Sequence, residues 1–351
     1  MGAKGRKGIR MATELAQGSS SNTVRMQSID IVRAMAIVFV ILGHTLIYAK
    51  CGEFLVGLLY SFHMSLLFIL SGFVAAASWE RSGAADCRSA LRKISRSARR
   101  LLVPYSVCGI IVMPIVNFLL TEDLSVAFLG GWRKAFLNNR FLWYLPCNFF
   151  LVCIFVAVAL SVRGTRGRRW LVGVVAAFVF VVAARMVFPH VDYIRSVMNY
   201  FPAFFAGAWL WPHRESVLNP SRKLLVCSSA AFIALAVLFV TLQPTPYVDK
   251  NILKPFAGLA SFVPLMAIAR KMKGLLASGV AYVGRATLFL YCFDFSATPI
   301  TVWYFTSVGV LPAFAIAFGI VATGLFVNLS WEYAILPELK RTKDRIAEQT
   351  R

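Results

Sequence analysis

The stretch SIDIVRAMAIVFVILGHTLIYA, residues 28–49, decides the fold class. It is apolar along nearly its whole length and meets the roughly 20 residues an α-helix needs to cross a bilayer. It nevertheless carries Asp30, Arg33 and His44. A charged side chain at membrane depth costs at least roughly 2.5–3.5 kcal/mol on insertion scales, so each of these residues needs a reason. Arg33 and His44 are eleven positions apart. At about 100° per residue that is close to three full turns, so both lie on one face, about 16 Å apart along the axis. The spacing suits a long, thin ligand with an anionic head at Arg33 and a reactive tip near His44. The plainer readings are that Arg33 snorkels to the interface and pairs with Asp30, and that His44 satisfies a helix–helix hydrogen bond.

Outward from this segment the same composition continues. Of the 351 residues, 59% are hydrophobic and 15% charged, with a mean hydropathy of +0.70. Soluble domains carry about a quarter charged residues, so this chain cannot cover itself with a polar surface. Ten apolar stretches are expected as membrane-spanning helices, near 29–49, 54–77, 101–120, 141–161, 170–188, 193–211, 224–242, 252–269, 278–297 and 310–332. The last two are divided at Pro299 and Pro312. The expected fold is therefore an all-α polytopic bundle of about ten transmembrane helices. Residues 1–25 read as a disordered basic tail, 26–337 as one membrane domain and 338–351 as a second basic tail.

The net charge of +22 could suggest nucleic-acid binding, but the Lys and Arg residues sit in short clusters between apolar runs, with no soluble basic domain to carry such a role. With the N-terminus inside, the inner loops hold Arg88–Arg100, Arg163–Arg169, Arg214–Lys223 and Arg270–Lys273. The outer loops hold only Lys50, Arg133, Lys134, Arg140, Lys250 and Lys254. This asymmetry places both termini in the cytoplasm, in a cell (inner) membrane protein. The seven cysteines show no metal-ligand spacing and fall mostly in apolar runs, so neither a metal site nor a disulfide is expected.

Other polar residues recur at membrane depth. In FLVGLLYSFHMSLLFILSGFVAAA, residues 54–77, His63 lies at a depth comparable to His44, and Ser71 and Gly72 near that of Arg33. The small pair admits a ligand, or simply another helix. Trp143 and Asn148 sit in RFLWYLPCNFF (140–150), in the outer half of the fourth span, where a Trp is commonly an interfacial anchor. Asp294, in VGRATLFLYCFDF (283–295), is the one acidic residue well inside an apolar run and calls for a cationic or imidazole partner.

Taken together, these motifs resemble a family. Arg33 followed by ten residues and His44 is similar to the Arg-x10-His signature of the acyltransferase-3 family of membrane O-acyltransferases. SFHMSLLFILSGF (61–73) resembles its second-helix motif, RRLLVPY (99–105) the basic lead-in to its third helix, and FLWYLPCNFF (141–150) its aromatic fourth-helix segment. The likeness is greatest to the fucose 4-O-acetylase-like branch and spans most of residues 27–300. One departure stands out: the family run similar to VGRATLFLYCFD often ends in His, and here that position is Asp294. The resemblance implies transfer of an acyl group, usually acetyl from acetyl-CoA, onto a hydroxyl of a sugar or other acceptor.

The residues accommodate that chemistry. Arg33 with Arg99 and Arg100 of the basic 88–100 segment offers phosphates a mouth, and Ser71 and Gly72 would line the passage of the donor. His44 suits the general base, because a neutral imidazole takes a proton near pH 7. His63 would orient it, bind the acceptor or protonate the leaving thiolate. Trp143 is placed for stacking on a sugar, Asn148 with the acceptor, and Asp294 for fixing an imidazole. An acceptor that is a small natural product or a lipid stays open, as does a non-enzymatic transporter or flippase, which would also be a bundle with buried charges. The acceptor's identity, the acyl chain length and the oligomeric state are not legible.

Overall fold

The computed structural model describes residues 27–82, 86–121, 142–242, 252–304, 309–330 and 332. The two expected tails, 1–25 and 338–351, lie outside the described residues, as do Arg133, Lys134, Arg140 and Lys250. Among the described residues the chain is helical and has no strand. A bilayer leaves no alternative for an open chain, since backbone groups in hydrocarbon must be satisfied within the segment.

Each expected span is found as a helix, with differences that bear on the site. The first is α1, Gln27–Tyr48. It closes on a tight turn in which Cys51 N–H donates to Leu46 O and Lys50 adopts a left-handed φ of 53°, sending the chain straight back. The second span is broken into α2 (Glu53–Tyr60) and α3 (His63–Arg81). At the break, Ser61 Oγ donates to Leu58 O. The third begins well before residue 101: α4 covers Cys87–Val107, capped by the Asp86 carboxylate accepting from Ser89 N–H. The basic 88–100 segment, expected as a loop, is thus a helix. Beyond Pro104 the rod passes through a π-helical turn, Cys108–Val112, into α5, Met113–Thr121.

There follow α6 (Tyr144–Ser161), α7 (Gly167–Val187), α8 (Asp192–Leu210), the short α9 (Arg214–Leu218), α10 (Arg222–Thr241) and α11 (Leu253–Lys271). The ninth expected span is two helices, α12 (Gly274–Arg285) and α13 (Thr287–Tyr304), bent by 67° at Ala286. Pro299 does not end α13, which runs on through it; neighbouring helices in a membrane bundle tolerate the lost hydrogen bond. The last is α14, Val310–Ser330. Eight of these rods are long and apolar enough to cross a membrane, counting Glu53–Arg81 and Cys87–Val116 as one each, and the bent α12–α13 pair would make a ninth. The more polar α8, with Asp192, Arg195 and Asn199 in its first half, is not among them. The chain is a multi-pass integral membrane protein.

Helices in a bilayer gain no hydrophobic energy from meeting, so backbones must approach closely enough for dispersion to hold them. Here α3 and α8 do so through a reciprocal pair of glycines. A Cβ added at Gly72 would stand 1.8 Å from Phe204 O, and one at Gly207 would stand 2.0 Å from Ile69 O. At the other side of the bundle Gly284 lets α12 abut α1, since a Cβ there would stand 1.7 Å from Asp30 O. That contact delivers the following residue, Arg285, to the foot of α1. An aromatic layer of Phe68, Trp143 and Tyr200 fills the middle of the bundle, with ring centroids 4.6–6.0 Å apart. Glu80 ties the ends of α3, α7 and α9 together: it accepts from Arg166 at 2.7 Å and from the Trp211 indole, and Arg214 stands 3.9 Å away.

Candidate active site

Two arrangements occupy the two ends of α1. At its N-terminal end lies a cavity of about 290 Å³ walled by α1, α3, α4, α6, α12 and α13. Five basic side chains line it: Arg33, Lys93, Arg96, Arg100 and Arg285; no acidic residue does. The helical state of 88–100 explains the cluster. Lys93, Arg96, Ser97, Arg100 and Leu101 follow the i, i+3, i+4, i+7 spacing of one helix face, and all of them line the cavity. Lys93 is anchored there, donating to Ser78 O at 2.7 Å and to Ser78 Oγ at 3.1 Å, with its ammonium 5.6 Å from the Trp79 ring centroid. Arg33 does pair with Asp30, at 2.9 Å, and still contributes to the wall. Among the described residues no carboxylate forms an ion pair with Arg96, Arg100 or Arg285.

Higher along the cavity its polar wall is uncharged. Ser71 and Tyr144 share a hydroxyl–hydroxyl hydrogen bond of 2.8 Å, and the Asn148 amide reaches the Tyr144 hydroxyl at 3.5 Å. Asn148, expected beside an acceptor in the outer half of its span, therefore stands with Ser71 in the cavity that also holds Arg33. The reason is the depth at which α6 begins: Tyr144, its first residue, packs 4.8 Å from Phe68 in the interior of α3.

Towards the C-terminal end of α1 the His44 ring makes a different kind of contact. Its Nδ1 lies 2.6 Å from Asp294 Oδ2 on α13, across 250 positions of sequence. The other carboxylate oxygen accepts from Thr298 Oγ1, one turn further along α13. Asp294 is fully buried, whereas the His44 side chain keeps 24% of its surface exposed. A carboxylate accepts, so Nδ1 donates to Asp294, and in a neutral imidazole held this way Nε2 is the nitrogen with the lone pair. Asp294 thus holds the ring plane of His44 and turns Nε2 away from the carboxylate, an arrangement in which an imidazole can accept a proton.

The remaining expected site residues fall elsewhere. His63 is at the start of α3, 1% exposed; its Nδ1 donates to Leu59 O at 2.6 Å and Tyr60 meets its ring edge-on at 4.7 Å. No hydrogen bond joins it to His44 among the described residues; the side chain that orients His44 there is Asp294, and the other two roles expected for His63 are not touched by this. Gly72 faces the α8 backbone and does not line the cavity, so it is not brought together with Ser71 there. Arg99 is exposed and off the cavity face of α4, about 100° round from Arg100. Trp143 is part of the aromatic layer against Phe68 and Tyr200. Lys93, Arg96 and Arg285 were not singled out for the site from sequence, although helical periodicity would have found the first two.

The cavity wall reaches Ile37 on α1 and Tyr291 on α13. His44 and Asp294 lie seven and three residues beyond those points, or about 10 Å and 4–5 Å along the axes. Ile41, midway on that face of α1, is fully buried.

Residues 26–334 match the model of the acyltransferase-3 family, described as an acyltransferase domain. No curated protein and no solved structure matches the chain.

Proposed function

The chain belongs to the acyltransferase-3 family of membrane O-acyltransferases, and on that footing we propose that it transfers an acetyl group from acetyl-CoA to a hydroxyl of a sugar or glycan, with His44 as general base. One observation carries this reading: a single face of α1 carries, towards one end, a cavity lined by five basic residues and no acidic one and, towards the other, an imidazole oriented by a buried carboxylate. A nucleotide thioester needs both features, in that order and at a separation of this kind. Its phosphates call for several cations without competing carboxylates, and its carbonyl calls for a nearby group that can activate a hydroxyl.

In the proposed mechanism Arg33, Arg100 and the neighbouring cations hold the phosphates at the cytoplasmic side. The arm lies in the cavity along α1 as far as Ile37 and Tyr291, and for the thioester to reach His44 the fully buried Ile41 side chain must move aside. His44 Nε2 then takes the proton of the acceptor hydroxyl as its oxygen bonds to the thioester carbonyl carbon. The C–S bond breaks, and the thiolate leaves with a proton returned through the imidazolium. Asp294 stabilises the imidazolium as it forms, so the charge created in the step is met by a fixed carboxylate. General-base catalysis of this kind is typically worth about 10²–10⁴ in rate.

Membranes containing the protein, incubated with acetyl-CoA labelled in the acetyl group and with extracted glycan, are expected to consume the thioester and label the acceptor. His44→Ala at equal protein level should lose about 10²–10⁴ of that rate. Near-normal transfer by His44→Ala would remove His44 from catalysis. An intact thioester in the presence of wild-type protein and acceptor would favour a transporter.

A further inference from the structure

We infer that Asn148, with Ser71 and Tyr144 beside it, grips an amide of the acyl donor's arm, and so sets the preference for a pantetheine-type thioester; this rests on the donor reading above. The first observation is an orphaned atom. Asn148 is 7% exposed, its Oδ1 is buried, and that oxygen has no hydrogen-bond partner among the described residues. Its Nδ2 makes a single long contact, 3.5 Å to the Tyr144 hydroxyl. A buried amide left half-satisfied bears the full cost of losing its water, unless a ligand completes it.

The second observation is position. On α3, Ser78 holds Lys93 at the cationic end of the cavity, and Ser71 holds Tyr144. Seven residues separate them, about 10 Å along the helix. The cavity's 290 Å³ lies at the lower limit of pockets that take a whole drug-sized ligand, roughly 300–1,000 Å³. It therefore suits an extended arm, with a nucleotide head left at the mouth. In a coenzyme A thioester the amides of the arm lie between its phosphates and its sulfur. This cluster likewise lies between the five cations and the Ile37–Tyr291 end that points towards His44.

The third is complementarity. A secondary amide has one N–H and one C=O, and a carboxamide presents the matching acceptor and donor whichever way its oxygen and nitrogen are turned. The Ser71–Tyr144 hydroxyl pair holds Tyr144 in place and can take up a second carbonyl. A sugar hydroxyl, the partner first expected for Asn148, is needed near His44, about 10 Å further along α1.

The test uses the full chain in lipid nanodiscs and compares binding of acetyl-CoA with that of two analogues, each having one arm amide replaced by an ester. Wild type should bind at least one analogue about tenfold more weakly, the effect of one lost hydrogen bond to a buried partner. Asn148→Leu should bind acetyl-CoA about tenfold more weakly and separate the three donors by less than about twofold. In transfer assays the same variant should raise KM for acetyl-CoA while leaving kcat nearly unchanged. Equal binding of all three donors by wild type overturns the inference, and this measurement decides even if Asn148→Leu fails to accumulate. Undiminished discrimination by Asn148→Leu also overturns it. A wild-type protein that neither binds nor consumes acetyl-CoA overturns the donor reading as well, whereas one that binds and transfers without discriminating leaves that reading standing.

Discussion

The two ends of α1 hold charge in opposite ways. Around Arg33 the protein gathers basic side chains from α1, α4 and α12 and supplies one carboxylate, Asp30, which Arg33 itself takes. Around His44 it supplies one imidazole, one carboxylate and one hydroxyl, each bonded to the next. The first arrangement leaves most of its cations without a protein carboxylate among the described residues, facing one another across a cavity. The second is complete by itself, because a fully buried Asp294 is tolerated only with its hydrogen bonds made. The comparison separates binding from chemistry: the unsatisfied end is suited to attract a ligand, and the satisfied end to hold a proton acceptor still.

That separation makes distinct demands on variants. After His44→Ala, the largest effect is expected for Asp294→Asn, which keeps the shape but loses the charge that meets the imidazolium. It should lower kcat roughly 10–100-fold, the worth of a charge-assisted hydrogen bond, with donor affinity unchanged. A variant with normal kcat would reduce the pair to a structural link. Next comes Gly72→Ala, whose added methyl collides with the Phe204 carbonyl. Overpacking of this kind costs about 1–3 kcal/mol. Thermal unfolding in detergent should therefore shift down, while the donor KM of the protein that remains folded stays unaltered. A donor-specific defect would return Gly72 to the cavity wall.

Arg100→Ala should raise KM for acetyl-CoA about tenfold with kcat little changed, and the loss should shrink as ionic strength rises. Unchanged affinity would defeat the phosphate role of the cavity. The smallest effect is expected for Arg99→Ala, within about twofold of wild type in the same titration, because its charge lies off the cavity wall, where water screens it. If Arg99 matters as much as Arg100, the ligand approaches from outside the cavity described.

The neighbouring arginines show where sequence reading stops. Arg99 and Arg100 belong to one basic lead-in, and both were natural choices for phosphate binding. Only after residues 88–100 are known to be helical does a rotation of about 100° place one on the cavity and the other away from it. Arg33 and His44 could be placed without a structure, since both lie on one helix whose geometry is fixed. Asp294 could be recognised as needing a partner from its cost in an apolar run. Which imidazole it would meet depended on how α13 packs on α1, across 250 positions. That Asn148 stands beside Ser71 in the cationic cavity depended likewise on how α6 packs on α3, which no local signal marks.

Composition and hydropathy alone established the membrane bundle, its order of spans and the common face of Arg33 and His44. Those follow from free energies of transfer and from helix periodicity, both of which act over a few turns of chain. The assembly of helices decided the rest: that glycines seal α3 to α8, that Lys93, Arg96 and Arg285 join the cationic cavity, and that His44 is held by Asp294 and not by His63. In a bilayer those choices rest on close packing and on hydrogen bonds between distant segments, which no stretch of residues carries within itself.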